Sequence, residues 1–225
     1  MIMSDIAVKL HGALMHLIPS EYAERLHSGT AQPFSIFVLS ADEEGAIMAR
    51  ISALCDEARL IGDALCAADE LKIYGMRTPM RMLACQQAPP MSVDMLSDTL
   101  VGDAFRLSFL SPSMIKKNGK PSCSLNLGKY FRSVIEKLNS FEGQQLDAER
   151  ICTAISELEI TGFDLSTSLH NVAGSYYPGM SGYADIRLRN NMLSQQIKQV
   201  LAYAEYSGVG AKTALGMGGF MIESI

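Results

Sequence analysis

The chain has 225 residues, 48% of them hydrophobic, and its 19 Lys+Arg against 24 Asp+Glu leave a net charge of -5. That length suits one large or two small domains, the acidic balance argues against indiscriminate binding to polyanions, and no stretch is long and apolar enough to span a membrane. Five scattered cysteines (Cys55, Cys66, Cys85, Cys123, Cys152) without a C-x-x-C pair indicate neither a disulfide framework nor a zinc site, and the N-terminus lacks a signal peptide, so the expectation is a cytoplasmic protein with reduced thiols.

The first predicted element is a helix over "SDIAVKLHGALMHLI", where Ile6, Leu10, Ala13, Leu14 and Leu17 share one stripe and Ser4 is placed to cap the start. Pro19 ends it, and "SEYAERLH" forms a short second helix. "PFSIFVLS" and "MARISALC" alternate as strands of a hairpin-like pair, joined by a turn whose acidic run Asp42, Glu43 and Glu44 reads as a solvated tip. "DEARLIGDALCAA" is a helix with Asp56 and Glu57 at its positive end. "LKIYGMRTPMRMLACQQ" reads as a long strand region that Pro79 bends.

"APPMSVDMLSD" marks a boundary, which divides the chain into residues 1–95 and 96–225. Beyond it come a strand ("AFRLSFLSPS"), a helix ("LGKYFRSVIEKLNSF"), one or two strands ("ICTAISELEITGFDLSTS") and a further strand ("GYADIRLR"). A helix ("NNMLSQQIKQVLAYAEYSG"), capped by Asn190 or Asn191 and ended by Gly208 in the left-handed conformation, leads to a final strand, "GFMIES". The fold class is α+β. The second half follows the ferredoxin-like split βαβ order; the first half, starting directly on a helix, is short of its N-terminal strand.

Charge separates along the same division. Residues 1–100 carry 7 Lys+Arg against 13 Asp+Glu (-6), and residues 101–225 carry 12 against 11 (+1). A polyanion site therefore belongs mainly to the second half. Its basic residues gather in "SMIKKNGK" (Lys116, Lys117, Lys120), "KYFRSVIEK" (Lys129, Arg132, Lys137), "IRLR" (Arg187, Arg189) and the loop "SGVGAKTALGMGGF".

That loop, residues 207–220, holds five glycines, Lys212 and Thr213. It is not a P-loop, because Ala211 and Tyr206 stand where G-x-x-x-x-G-K-[ST] needs glycine and the helix precedes the loop instead of following it. Gly208, Gly210, Gly216 and Gly218 mark a helix-to-strand connection in which backbone approaches something closely.

The pattern Gly208-Val209-Gly210, five residues including Lys212, then Gly216-Met217-Gly218 resembles the signature loop of the CRISPR-associated repeat-processing endoribonucleases, the sixth Cas family of the RAMP superfamily. "GSYYPGMSGYADI", "LSFLSPS", "LHGALMHL" and "YAERLHSGTAQPFSIFVLS" are similar to further segments of that family, so the resemblance covers nearly the whole chain. It implies two tandem ferredoxin-like domains and metal-independent cleavage of precursor CRISPR RNA inside each repeat. In that reaction the 2'-OH attacks the adjacent phosphate, leaving a 2',3'-cyclic phosphate and a 5'-OH, with no cofactor. It implies His27 in "RLHSG" as the catalytic histidine, with His11 or His16, about 140° apart around their helix, as its partner. The RNA-binding residues would be Gly208, Gly210, Lys212, Thr213, Gly216, Gly218, Arg187, Arg189, Lys116 and Lys117.

The family often places a lysine soon after the histidine. "HSGTAQPF" has none, so Lys212 or an arginine of "IRLR" is expected to supply the cation. Tyr176, Tyr177 and Tyr183 are candidates for stacking on bases. The implied partners are CRISPR repeat RNA or crRNA and other Cas proteins, with a homodimer possible and no membrane. Two other readings keep the loop without the cleavage: a non-catalytic RAMP subunit holding crRNA in an interference complex, and an unrelated α+β enzyme with a small-molecule phosphate site.

Overall fold

The computed structural model describes residues 3–29, 31–41, 46–189 and 191–225; the acidic turn at 42–44 and Asn190 lie outside them. The first half opens with α1 (Met3–Leu17) and α2 (Ser20–Ser28), followed by β1 (Phe34–Ala41), β2 (Ile47–Ala53) and α3 (Arg59–Cys66). The apolar stripe of α1 forms as read, and Ile6, Leu10, Ala13 and Leu14 are buried against Phe34, Ile36 and Val38 of β1. α1 includes Met3, so Ser4 stands within the helix and not ahead of it as the cap reading requires. β1 and β2 pair antiparallel, Ile36 opposite Ile51. Glu57 forms an ion pair with Arg25 of α2.

The long strand expected over residues 71–87 is absent. Only β3 (Glu70–Leu71) and β4 (Met80–Arg81) form, as a two-residue antiparallel ladder. The reason is local: Gly75 turns the chain with φ +79°, Pro79 has no N–H to donate to a ladder, and Tyr74 and Leu83 are 94% and 76% exposed, with no layer to cover them. The same ladder brings Cys66 and Cys85 within 5.4 Å between Cα atoms, and they form a disulfide, against the expectation of wholly reduced thiols. A spacing of 19 residues carried no sign of it; the separation suits the bond once the segments are paired.

α4 (Val93–Asp98) occupies the segment read as a boundary. Ser92 caps it by accepting from Met95 N–H, and Val93 and Leu96 join the core of the second half. There follow β5 (Ala104–Ser113), a hairpin of β6 (Ile115–Lys117) and β7 (Lys120–Ser122), then α5 (Gly128–Phe141) and α6 (Ala148–Ser156). The hairpin turns on Asn118-Gly119, both at positive φ, the geometry such a two-residue loop needs. α6 replaces the first part of an expected strand. Asp147 caps it by accepting from Arg150 N–H, and Ile151, Cys152 and Ile155 fall on one face. That helical spacing outweighs the β-branched composition.

β8 (Glu159–Val172), β9 (Ser175–Arg187), α7 (Ser194–Ser207) and β10 (Phe220–Ser224) complete the chain. The sheet order β10-β5-β9-β8 is antiparallel throughout, which is the ferredoxin-like arrangement expected. Phe105, Leu107 and Phe109 of the sheet, Phe131, Val134 and Ile135 of α5, and Val200 and Leu201 of α7 build one core. Asn191 does not cap α7 directly; its Oδ1 accepts from Leu193 N–H one residue ahead of the helix. Gly208 does end the helix at positive φ, yet its ψ of 165° lies outside the left-handed well. No helix among the described residues is long and apolar enough to cross a membrane.

Candidate active site

The glycine-rich loop is a buried connector. The N–H groups of its glycine pairs are spent inside the protein: Gly208 donates to Ala204, Gly210 to Tyr130, Gly216 to Thr213 and Gly218 to Pro112, while between them Val209 donates to Gly218 and Ala211 to Met114. This corrects the expectation that Gly208, Gly210, Gly216 and Gly218 present their backbone to phosphates. The glycines are needed because the loop is wedged between elements. A Cβ on Gly210, which sits at φ +79°, would lie 2.3 Å from Met114 O, and one on Gly216 would lie 2.2 Å from Ala7 Cβ of α1. A five-glycine pattern looks the same whether it opens toward a ligand or toward neighbouring backbone.

The wedge sets the position of α1. Ala214, in the 3-10 turn over residues 213–215, is buried among Ile6, Ala7, Leu10 and Leu14. His11 is half-buried on the same helix, its ring stacked 5.7 Å from Phe34. Burial and the neighbouring His27 hold its pKa below the ordinary 6.5, while the Ala214 backbone beside the ring opposes them. Nδ1 is buried and makes no hydrogen bond of ordinary geometry among the described residues. His27, exposed in the last turn of α2, brings its ring to 6.2 Å from that of His11, edge to face. His16 is also exposed, in the last turn of α1. The fold thus chooses His11 as the ring that meets His27, a choice that helical spacing left open.

The predicted cations divide between two places. Lys212 has left-handed backbone (φ 65°) and lays Nζ 4.7 Å from the centre of the Tyr177 ring. Met114, Val172 and Met217 form the floor beneath it, with Val8 of α1 at the edge. Lys116 and Lys117 are exposed on the β6–β7 hairpin, two and three residues after Met114, whose carbonyl receives the loop. Arg187 and Arg189 are exposed at and beyond the other end of β9, roughly 30 Å from Tyr177 at ~3.3 Å per residue. Tyr183 faces Arg106, whose guanidinium lies 4.1 Å from the ring centre and pairs with both carboxylate oxygens of Asp185.

Thr213 and Lys137 are the interior surprise. Lys137 reads as part of a basic cluster on α5, yet it is 6% exposed and donates to Ser207 O at 2.6 Å and Thr213 Oγ1 at 2.8 Å. Thr213 is buried too, so neither residue is at the surface for RNA to touch. Burial pulls the Lys137 pKa down to about 7. Below that pH the folded and unfolded chains both carry the charge, and its full burial cost is present; above it the folded chain sheds the proton while the unfolded chain keeps it to 10.5. Wild type is therefore expected to gain stability relative to Lys137→Met between about pH 7 and pH 9 in denaturant titrations. A constant difference across that range would remove the buried-amine assignment.

Residues 107–220, just over half of the chain, match the family profile described as CRISPR-associated endoribonuclease Cas6. The CRISPR-associated endoribonuclease Cas6 of Mycobacterium tuberculosis is 26% identical over 224 residues, spanning 96% of this chain and 71% of that protein. The protein of the same name from Streptococcus thermophilus is 25% identical over 236 residues, spanning 97% and 92%. A solved Cas6 product complex superposes with a TM-score of 0.80 at 22% identity, over 97% of this chain and 93% of that one. The tandem fold is thus shared along nearly the whole chain, and the profile match runs from within β5 to the first residue of β10, taking in the glycine loop. By that match over more than half of its length, the chain belongs to the CRISPR-associated endoribonuclease Cas6 family.

Proposed function

We propose that the chain cuts precursor CRISPR RNA within its repeats, without metal, by attack of a ribose 2'-OH on the adjacent phosphate. What supports this most is the meeting of His11 and His27 at 6.2 Å between ring centres. Two imidazoles supply both proton roles of such a reaction. His11, whose lowered pKa favours the neutral ring, is suited to take the 2'-OH proton. His27, at the exposed end of α2, is suited to protonate the leaving 5'-oxygen. The 2'-oxygen bonds to phosphorus as the 5'-oxygen leaves, which yields a 2',3'-cyclic phosphate and a 5'-OH.

Charge on the phosphorane requires a cation. Lys212 fills that part in this reading, because Ala214, two residues on, packs against the helix that carries His11. Lys116 and Lys117 extend the basic surface beside it, and exposed Tyr176 offers a stacking face. Arg187 and Arg189 serve a distant stretch of the repeat. We place the division between the two units just ahead of α4, near the expected 95/96 position, since Val93 already packs with the second core. Work on a transcript supports a cytoplasmic location for the chain.

The test is incubation in EDTA with end-labelled repeat RNA from the array of the same genome, beside a substrate with 2'-deoxyribose at the mapped cut. Cleavage at one site that survives EDTA, leaves a cyclic phosphate and stops with the deoxy substrate is the expected result. Cleavage of the deoxy substrate would exclude 2'-OH attack.

A further inference from the structure

Lys137 is remote from any surface, yet it is joined to the histidine pair by a short chain of contacts. Its Nζ bridges Ser207, the last residue of α7, and Thr213, the first residue of the 3-10 turn. These two positions bracket the start of the glycine loop. Thr213 is followed by Ala214, which is buried against α1 and whose backbone lies at the His11 ring. Among the described residues of the second half no other side chain is seen to hold that turn: Ser111 fixes the far end of the loop, accepting from Gly219 N–H and donating to Gly216 O.

An apolar residue in this space would pack the core more cheaply than an amine, because an amine taken out of water needs every hydrogen bond it can make. The amine offers two directed bonds that a methyl group cannot. One goes to the end of a helix and the other to the turn facing the catalytic rings.

We propose that Lys137 is a positioning residue for cleavage: by tying Thr213 to the end of α7 it fixes the 213–214 turn against α1 and so sets the His11 ring relative to His27. The proposal rests on the reading of those histidines as acid and base. It adds a residue that never touches RNA, and it explains why Thr213 is buried.

The experiment compares Lys137→Met, Thr213→Val and Thr213→Ser with wild type in the full-length protein. Single-turnover cleavage, affinity for uncleavable repeat RNA and the His11 ring signals are measured, the last by NMR of histidine-labelled protein assigned with His11→Gln. Lys137→Met and Thr213→Val are expected to slow cleavage about tenfold to a hundredfold, bind RNA as wild type does, and move the His11 signals while leaving those of His16 in place. Thr213→Ser, which keeps the hydroxyl, retains most of the rate.

Wild-type cleavage with unmoved His11 signals in Lys137→Met overturns the proposal, as does loss of RNA affinity in proportion to rate. Should Lys137→Met fail to fold, Thr213→Val decides in the same way. His27→Ala in the same assay separates the two layers: if it cleaves normally the acid–base reading falls, and if it is dead while both buried variants are fully active only the positioning role falls.

Discussion

Replacement of His27 by alanine is expected to slow cleavage of repeat RNA by about 10²–10⁴-fold, the usual contribution of one general acid or base, with RNA affinity nearly unchanged. His27 is exposed at the end of α2 and is not one of the buried core residues, so the loss reports chemistry and not folding. His11→Gln should lose a comparable factor. Its ring is stacked on Phe34, and glutamine keeps a polar side chain of similar length where alanine would leave a gap. Because the His11 pKa lies below 6.5, the loss of rate caused by protonating that base should set in below pH 6.5 in the wild-type protein. A first-order rate for His27→Ala equal to wild type would remove the acid–base pair from the mechanism.

The second large effect falls on the loop. Gly210→Ala puts a Cβ 2.3 Å from the Met114 carbonyl oxygen at a residue whose φ is +79°. Backbone strain and overpacking together cost about 2–6 kcal/mol, against a typical net stability of about 5–15 kcal/mol. The variant should melt far below wild type or accumulate insoluble, and the damage should appear without RNA present. That separates it from a phosphate-contact role, in which the variant would fold normally and lose only affinity. The contrast matters because the same glycine pattern prompted the opposite expectation.

Periodicity and turn chemistry carried much of the fold. The α1 stripe, β1 and β2, β5, α5, the glycine-loop helix and β10 were all legible, because each buries one face of a regular element and so leaves a repeat in the residues. α6 was not, since Ile151 and Ile155 look strand-like until Asp147 is seen capping a helix. The 71–87 segment was not, since nothing in its own residues says that no layer covers it. The disulfide needed the β3–β4 ladder to bring Cys66 to Cys85.

The site shows the same division. The loop pattern and the segments similar to it along the chain carried the resemblance to the family, and that resemblance implied His27, because such motifs are chemically distinctive and local. Which histidine partners His27, where the loop's N–H groups go, and that Lys137 is interior were decided only by tertiary structure. Each depends on contacts between segments far apart in sequence: α1 with α2, the loop with Tyr130 and Met114, and α5 with the end of α7. A single chain's residue order records what each segment prefers, whereas the identity of the neighbour that satisfies it is settled by packing.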